Sequence, residues 1–170
     1  VITTAVAGSL NNVASQSLTI AGNAGSKAIA VAVNSDAKTI ADDINAETSS
    51  TGVTADAFTK VALGAISASG TVTFNLTGAA TVAISAVMTS TSDVEELANA
   101  INNESATTGI TATVSSGSVI MESADGYDIE IDTFAGSAAG SQTATFTGYL
   151  GDSSTATTAV TLDEGSLPGA

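Results

Sequence analysis

The 170-residue sequence contains no cysteine, histidine, arginine or tryptophan, and its only cations are three lysines. Without cysteine, disulfides, thiol nucleophiles and cysteine-ligated zinc sites are excluded. Without histidine, serine and threonine lack their usual general base. A serine–lysine pair using Lys27, Lys38 or Lys60 stays formally open, although an isolated surface lysine is normally a solvated charge. We therefore expect no enzymatic activity and no cofactor.

The second deficit is positive charge. Seventeen acidic residues oppose the three lysines, which gives a net charge of −14. Contacts with nucleic-acid phosphates need clustered lysine and arginine, so we expect no nucleic-acid partner. The same deficit argues against an anionic membrane surface. The longest apolar runs, such as residues 28–33, are far shorter than the roughly 20 residues that a membrane-spanning helix needs.

A duplicated segment dominates the middle of the chain. Residues 35–55, SDAKTIADDINAETSSTGVTA, return as residues 92–112, SDVEELANAINNESATTGITA, with ten of 21 positions identical. Both copies place apolar residues at the period of an amphipathic helix. This pattern predicts helices over about residues 36–47 and 93–104. Ser92 and Glu95 predict a capping box for the second helix, whereas Lys38 replaces the glutamate in the first and predicts a weaker start.

Each predicted helix is flanked by strand-like segments. Two strands joined by turn residues precede it, which is typical of a hairpin. After it, Gly52 or Gly109 suits a chain reversal with positive φ, and a strand follows. The predicted strands are 18–21, 28–33 and 53 to about 63 around the first copy, and 71–76, 81–87, 110–115, 118–123 and 127–132 around the second.

This order of elements predicts an α+β fold of two tandem ββ-α-β(ββ) modules, with a short helix packed on a mostly antiparallel, strand-rich sheet. We place the first module at residues 17–68 and the second at residues 69–135, and name them repeat one and repeat two. Residues 135–142 are predicted to be a flexible connection, followed by two more strands. We expect residues 1–16 and 143–170 to lie together as base strands.

Acidic residues supply one weak candidate for a metal site. Asp128, Glu130 and Asp132 alternate along a predicted strand and would share one face, where a hard cation could bind. A solvated outer face is the favoured interpretation, because the spacing of a calcium-binding loop is missing. Paired carboxylates for sugar chemistry are disfavoured by the near absence of aromatic residues.

The duplicated residues resemble a known motif. Ile44–Asn45 with Gly52-Val-Thr-Ala, and Ile101–Asn102 with Gly109-Ile-Thr-Ala, are similar to the repeated "IN" motif of bacterial flagellins and hook-associated proteins. The resemblance covers about residues 17–135. Its motif residues are structural, and we expect Asn45 and Asn102 to satisfy backbone groups near the helix end.

The resemblance implies a structural protein. It indicates the central, surface-exposed variable region of a flagellin, extracellular in the flagellar filament. Contacts with other flagellin subunits would lie outside these residues, since no long heptad-rich helix is present here. O-linked glycans and host antibodies are the implied surface partners. Two alternatives stay open: a module of a hook-associated or filament-cap protein, and a carbohydrate- or calcium-binding adhesin module.

Overall fold

The computed structural model describes residues 11, 13–138, 142–149, 156–157 and 159–163. Within them the chain forms ten strands and four short helices. The strands are β1 Gln16–Gly22, β2 Gly25–Val31, β3 Thr59–Gly64, β4 Gly70–Thr77, β5 Thr81–Met88, β6 Thr111–Ser115, β7 Ser118–Ser123, β8 Glu130–Gly136, β9 Thr143–Gly148 and β10 Val160–Asp163. The helices are α1 Ala37–Ala46, α2 Thr48–Thr51, α3 Glu95–Asn103 and α4 Ser105–Thr108.

All strand pairs are antiparallel, and the strands form three sheets. A two-stranded sheet pairs β1 with β2, and a three-stranded sheet has the order β5-β4-β8. The third sheet has the order β10-β9-β3-β7-β6 and therefore combines strands of both repeats. The predicted α+β class is confirmed.

Local sequence explains the hairpins and the two long helices. In the β6–β7 hairpin, Ser116 and Gly117 both have positive φ, 51° and 76°. Two consecutive residues with positive φ between paired strands give a turn whose twist matches that of the hairpin.

The longer helices, α1 and α3, begin and end close to the predicted positions, and each is followed by one extra turn, α2 or α4. Both extra turns end on a left-handed glycine, Gly52 with φ 74° and Gly109 with φ 69°.

The capping box predicted for the second helix was wrong, and so was the prediction that the first helix has the weaker start. In α3 the N-cap position falls on Val94, which makes no side-chain capping bond, and Ser92 instead lies near the Ser90 hydroxyl. In α1 the Asp36 carboxylate accepts a hydrogen bond from the Thr39 N–H at 2.8 Å. The first helix, not the second, therefore has the side-chain cap. The chain enters α3 one residue later than it enters α1, which takes Ser92 out of capping range.

Two predicted strands were placed wrongly. The strand expected from residue 53 begins only at Thr59, because residues 53–58 have no neighbouring strand. The strand expected at 127–132 lies at Glu130–Gly136, so it takes up the start of the predicted flexible connection. A register shift opposite Thr73 and Asn75, with Thr133 at φ 52°, bends β8 and lets both Ile131 and Phe134 face the core.

The hydrophobic core lies mainly in repeat two. One continuous cluster includes the inward faces of β3, β4, β5, β7, β8 and β9, together with α3. Ile29, Val31 and Ala41 of repeat one are buried but lie outside that cluster. Over the described ranges, the chain has no helix with the length and apolarity to cross a membrane.

The proposed base is only partly within the described residues. Gln16 pairs with Val31 of β2, and β9 pairs with both β10 and β3. Residues 1–10, 12, 139–141, 150–155, 158 and 164–170 lie outside the described set. Whether the two ends of the chain meet is therefore still a prediction.

Candidate functional site: the asparagine clamp of each repeat

An asparagine at the end of each long helix holds the returning chain. In repeat two, the Asn102 side-chain NH2 donates to the Ala112 carbonyl, and the Ala112 N–H donates to the Asn102 side-chain oxygen, both at 2.8 Å. Asn45 makes the same pair with Ala55, again at 2.8 Å in both bonds. The amide thereby acts as one residue of an extra strand. We call this pair of hydrogen bonds the asparagine clamp.

The asparagine clamp protects a sheet edge. β6 is the outermost strand of the five-stranded sheet, so backbone groups on its outer side lack a neighbouring strand. The groups of Ala112 point outward and are taken by Asn102. Ile101, directly before the asparagine, is fully buried in the core. The Ile-Asn pair thus anchors the helix with one side chain and blocks the sheet edge with the other.

A buried threonine fixes the helix end. Thr108 is 0% exposed, and its hydroxyl donates to the Glu104 carbonyl at 3.0 Å and accepts from the Ile110 N–H at 3.2 Å. Thr51, also 0% exposed, repeats the pattern with Glu47 at 3.1 Å and Val53 at 3.1 Å. The sequence prediction missed these threonines. Their identity between the two repeats was the feature that could have revealed them.

The hairpin tip docks on the same turn. The Ala79 N–H donates to the Thr108 carbonyl at 2.7 Å, and the Ala24 N–H donates to the Thr51 carbonyl at 3.2 Å. A methyl group added at Gly78 or Gly22 would collide with these carbonyl oxygens. Glycine is therefore needed at both tips because the backbones approach closely. Hairpin, helix end and returning chain meet at one point in each repeat.

A protein-family model matches the two segments that contain the asparagine clamps. The model of the flagellin hook IN motif matches residues 17–68 and 71–125, which together are more than half of the chain. The chain belongs to the flagellin hook IN motif family. It carries two IN repeats and is a structural protein of the flagellin type. A search of the curated proteins found no match.

The IN repeats bring their six predicted motif residues into one arrangement each. Ile101, Asn102 and Gly109 form the helix anchor, the clamp and the left-handed reversal of repeat two. Ile44, Asn45 and Gly52 occupy the same places in repeat one, but Ile44 is only half-buried. Amide, aliphatic and glycine groups of this kind position a backbone and carry no reactive atom.

The three acids of the candidate metal site do not converge. Asp128 precedes β8 and accepts a hydrogen bond from the Asn11 NH2 at 2.6 Å, while Asp132 accepts from the Asn75 NH2 at 2.9 Å. Burial raises the pKa of Asp128, and the Asn11 hydrogen bond partly offsets that rise. Burial, with nearby Asp132 and Asp128, also raises the pKa of Glu130. Across the part of the chain that the structure describes, no group of three or more acids is arranged to hold a metal ion.

The lysines are all engaged in ion pairs. Lys27 lies 3.4 Å from Glu47, Lys38 lies 2.6 Å from Asp42, and Lys60 lies 3.3 Å from Glu122. The hydrogen bond to Asp42 raises the pKa of Lys38. A general base would need a lysine with a lowered pKa beside a hydroxyl nucleophile. The lysine pairs instead join α1, the first hairpin and the central sheet to acidic neighbours.

Proposed function

We propose that this chain forms an outer, surface-exposed part of a flagellin subunit in the bacterial flagellar filament. The observation on which this proposal mainly rests is the duplicated asparagine clamp, with the same 2.8 Å bonds in both IN repeats. A repeated packing unit extends a surface without adding chemistry. Two such units in one chain suit a part of the subunit that presents an extended outer surface.

Charge supports an exterior position. The net charge of −14 keeps a crowded projecting surface soluble and discourages casual contacts between neighbours. Contacts that build the filament are assigned to other regions of the subunit, which join this part through residues 1–16 and 143–170. On this proposal the exposed serine and threonine side chains are the surface for O-linked glycans, and the outer faces are antigenic.

Immunoelectron microscopy of intact flagella of the source bacterium tests the proposal. Antibodies raised against the purified 170-residue chain should label the whole length of the filament. Label restricted to the hook junction or the distal tip would replace it with the hook-associated or cap alternative. Filaments that bind no antibody, while denatured filament protein does, would show that this part is not on the outside.

A further inference from the structure

The strongest feature outside the clamps is an open apolar groove on repeat one. It has a volume of about 360 Å³ and lies between α1 and residues 55–58. Its apolar lining residues are Ala37, Ile40, Ala41, Ile44, Ala55, Ala57 and Phe58. Only Ala41 of these is buried, and the remaining six are half-exposed. We call this feature the repeat-one groove.

Repeat two shows what fills the matching space. Leu97 and Ile101, which correspond to Ile40 and Ile44, are both 0% exposed. There β7 pairs with β6, setting Met121 beside Ala112 and Val119 beside Val114, and it packs on α3. The occupant in repeat two is thus an antiparallel strand with aliphatic side chains. No such strand lies along residues 53–58 among the described residues.

The backbone beside the repeat-one groove has hydrogen-bonding groups that no described residue occupies. The asparagine clamp takes the N–H and C=O of Ala55, so those of Thr54 and Asp56 point to the other side. In repeat two the corresponding Thr111 and Thr113 pair with β7 on that side. Thr54 and Asp56 make no backbone hydrogen bond to another described residue. A strand edge is therefore available next to the apolar lining.

One end of the groove is already closed. The Lys38 N–H donates to the Gly126 carbonyl at 3.1 Å, and a methyl group at Gly126 would collide with Ala57. The turn of repeat two therefore lies against the first turn of α1. The open part is the stretch over Ile40, Ile44 and Phe58, which suits a short segment.

Charge decides between a second copy and a different partner. Asp56 lines the groove, and Asp43 is an exposed residue of α1 that directly precedes the lining residue Ile44. Neither forms an ion pair with a described residue. A second copy also carries a charge of −14, and its three lysines are already paired. Only a basic partner complements this rim.

We propose that the repeat-one groove binds an extended, basic segment of a partner protein. The segment adds to the edge at Thr54 and Asp56 as an antiparallel strand, in the manner of β7 on β6. Alternate aliphatic side chains cover Ile40 and Ile44, and lysine or arginine lies opposite Asp43 and Asp56. This proposal does not depend on where along a flagellum the chain is located.

A synthetic peptide provides the probe. It has the sequence of residues 117–124 with Glu122→Lys, two added lysines at each end, and blocked termini. Calorimetry at low salt should show binding to the full chain, and the amide resonances of Thr54 and Asp56 should shift in NMR spectra. Because rim charges respond to salt, affinity should fall severalfold when salt is raised to about 0.3 M. A scrambled peptide with a central proline serves as the peptide control.

Three variants locate the binding. Ile44→Asp should weaken binding at least about tenfold, because it places a charge in the apolar lining. Val87→Asp adds the same charge on an exposed valine of β5 and should change affinity less than about twofold. Asp56→Lys reverses the charge of an exposed side chain that lines the groove and should weaken binding severalfold. The proposal is overturned if the peptide fails to bind, if Ile44→Asp and Val87→Asp behave alike, or if sedimentation shows the chain filling the groove with its own second copy.

Discussion

The two IN repeats have the same hydrogen bonds but different surroundings. Each has a hairpin tip on the last helical turn, a buried threonine, a left-handed glycine and an asparagine clamp. In repeat two the helix α3 lies in the main core and its apolar residues are almost completely buried. In repeat one only Ala41 of the corresponding stripe is buried. A shared motif therefore does not imply shared burial.

The difference begins immediately after the motif. In repeat two, Ser116 and Gly117 turn the chain back, and β7 then covers β6 and α3. At the corresponding positions of repeat one, Thr59 and Lys60 continue straight into β3, which pairs with β7 and β9. Repeat one therefore gives its strand to a sheet shared with repeat two. Its own helix is left with an open side.

Truncating equivalent helix residues should give the largest difference in stability loss between the two repeats. Leu97→Ala removes a fully buried side chain and should lower the free energy of unfolding by about 2–5 kcal/mol. Ile40→Ala, at the matching position, should cost less than about 1 kcal/mol, since that side chain is already half-exposed. Urea denaturation of both variants measures the difference. Equal losses would mean that α1 is packed as tightly as α3.

Removing the clamps gives the next largest effect. Asn102→Ala leaves the Ala112 groups without partners in a partly buried position and should cost about 2 kcal/mol. Asn45→Ala should cost about half as much, because water reaches Ala55 and replaces the lost bonds. Asn103→Ala, at the exposed neighbouring position, is the matched control and should be close to neutral. If Asn102→Ala were also neutral, the clamp would have no structural role.

Substitutions at the helix starts should destabilise repeat one more than repeat two, the reverse of the order expected for the helix and clamp variants. Asp36→Ala removes the only side-chain cap of the two long helices and should cost about 1 kcal/mol. Ser92→Ala should cost less than about 0.5 kcal/mol, because Ser92 caps nothing. Thermal unfolding followed by circular dichroism compares them. A larger loss for Ser92→Ala would restore the capping box that the sequence suggested.

Asp128, which accepts the hydrogen bond from Asn11, contributes a small pH dependence to stability. Burial raises the pKa of Asp128 above its ordinary 3.8 in the folded state. The folded protein then binds the proton more tightly than the unfolded chain, so stability falls as pH rises through this window. Asp128→Asn can still accept the Asn11 hydrogen bond and should gain less than about 1 kcal/mol at pH 7.

That gain should disappear at about pH 3, where the Asp128 carboxyl is protonated in both folded and unfolded states. Urea denaturation at the two pH values measures it. Asp43→Asn is the control, since Asp43 is exposed, and it should show no comparable gain. A gain that persists at the lower pH would have to come from packing rather than from charge.

Local patterns predicted the parts of the fold that local forces determine. The first two hairpins and both long helices follow from alternating or helical periods within single segments. The positive φ of Gly52 and Gly109 follows from the need for a reversal after each helix. The partners of residues 53–58 and β8 depend on distant strands. No period within those segments contains that information, so their boundaries were wrong.

The site was predictable to a similar depth. Identity between the repeats singled out Asn45 and Asn102, but their acceptors, Ala55 and Ala112, lie ten residues away and became visible only in three dimensions. The sequence predicted that Asp128 and Asp132 share one face of a strand, yet each accepts a hydrogen bond from an asparagine elsewhere in the chain. Such pairings depend on tertiary contacts. The repeat-one groove likewise follows from a missing strand and not from any residue pattern.

Native-state hydrogen exchange at two alanines tests most directly whether two asparagine clamps of the same geometry lie in parts of the fold that differ in local stability. The N–H groups of Ala55 and Ala112 make the same 2.8 Å bond to an asparagine, so bond geometry alone gives them equal protection. We expect Ala112 to exchange only with global unfolding and Ala55 to exchange at least about 100-fold faster through local opening of repeat one. Equal protection at both alanines would contradict the account.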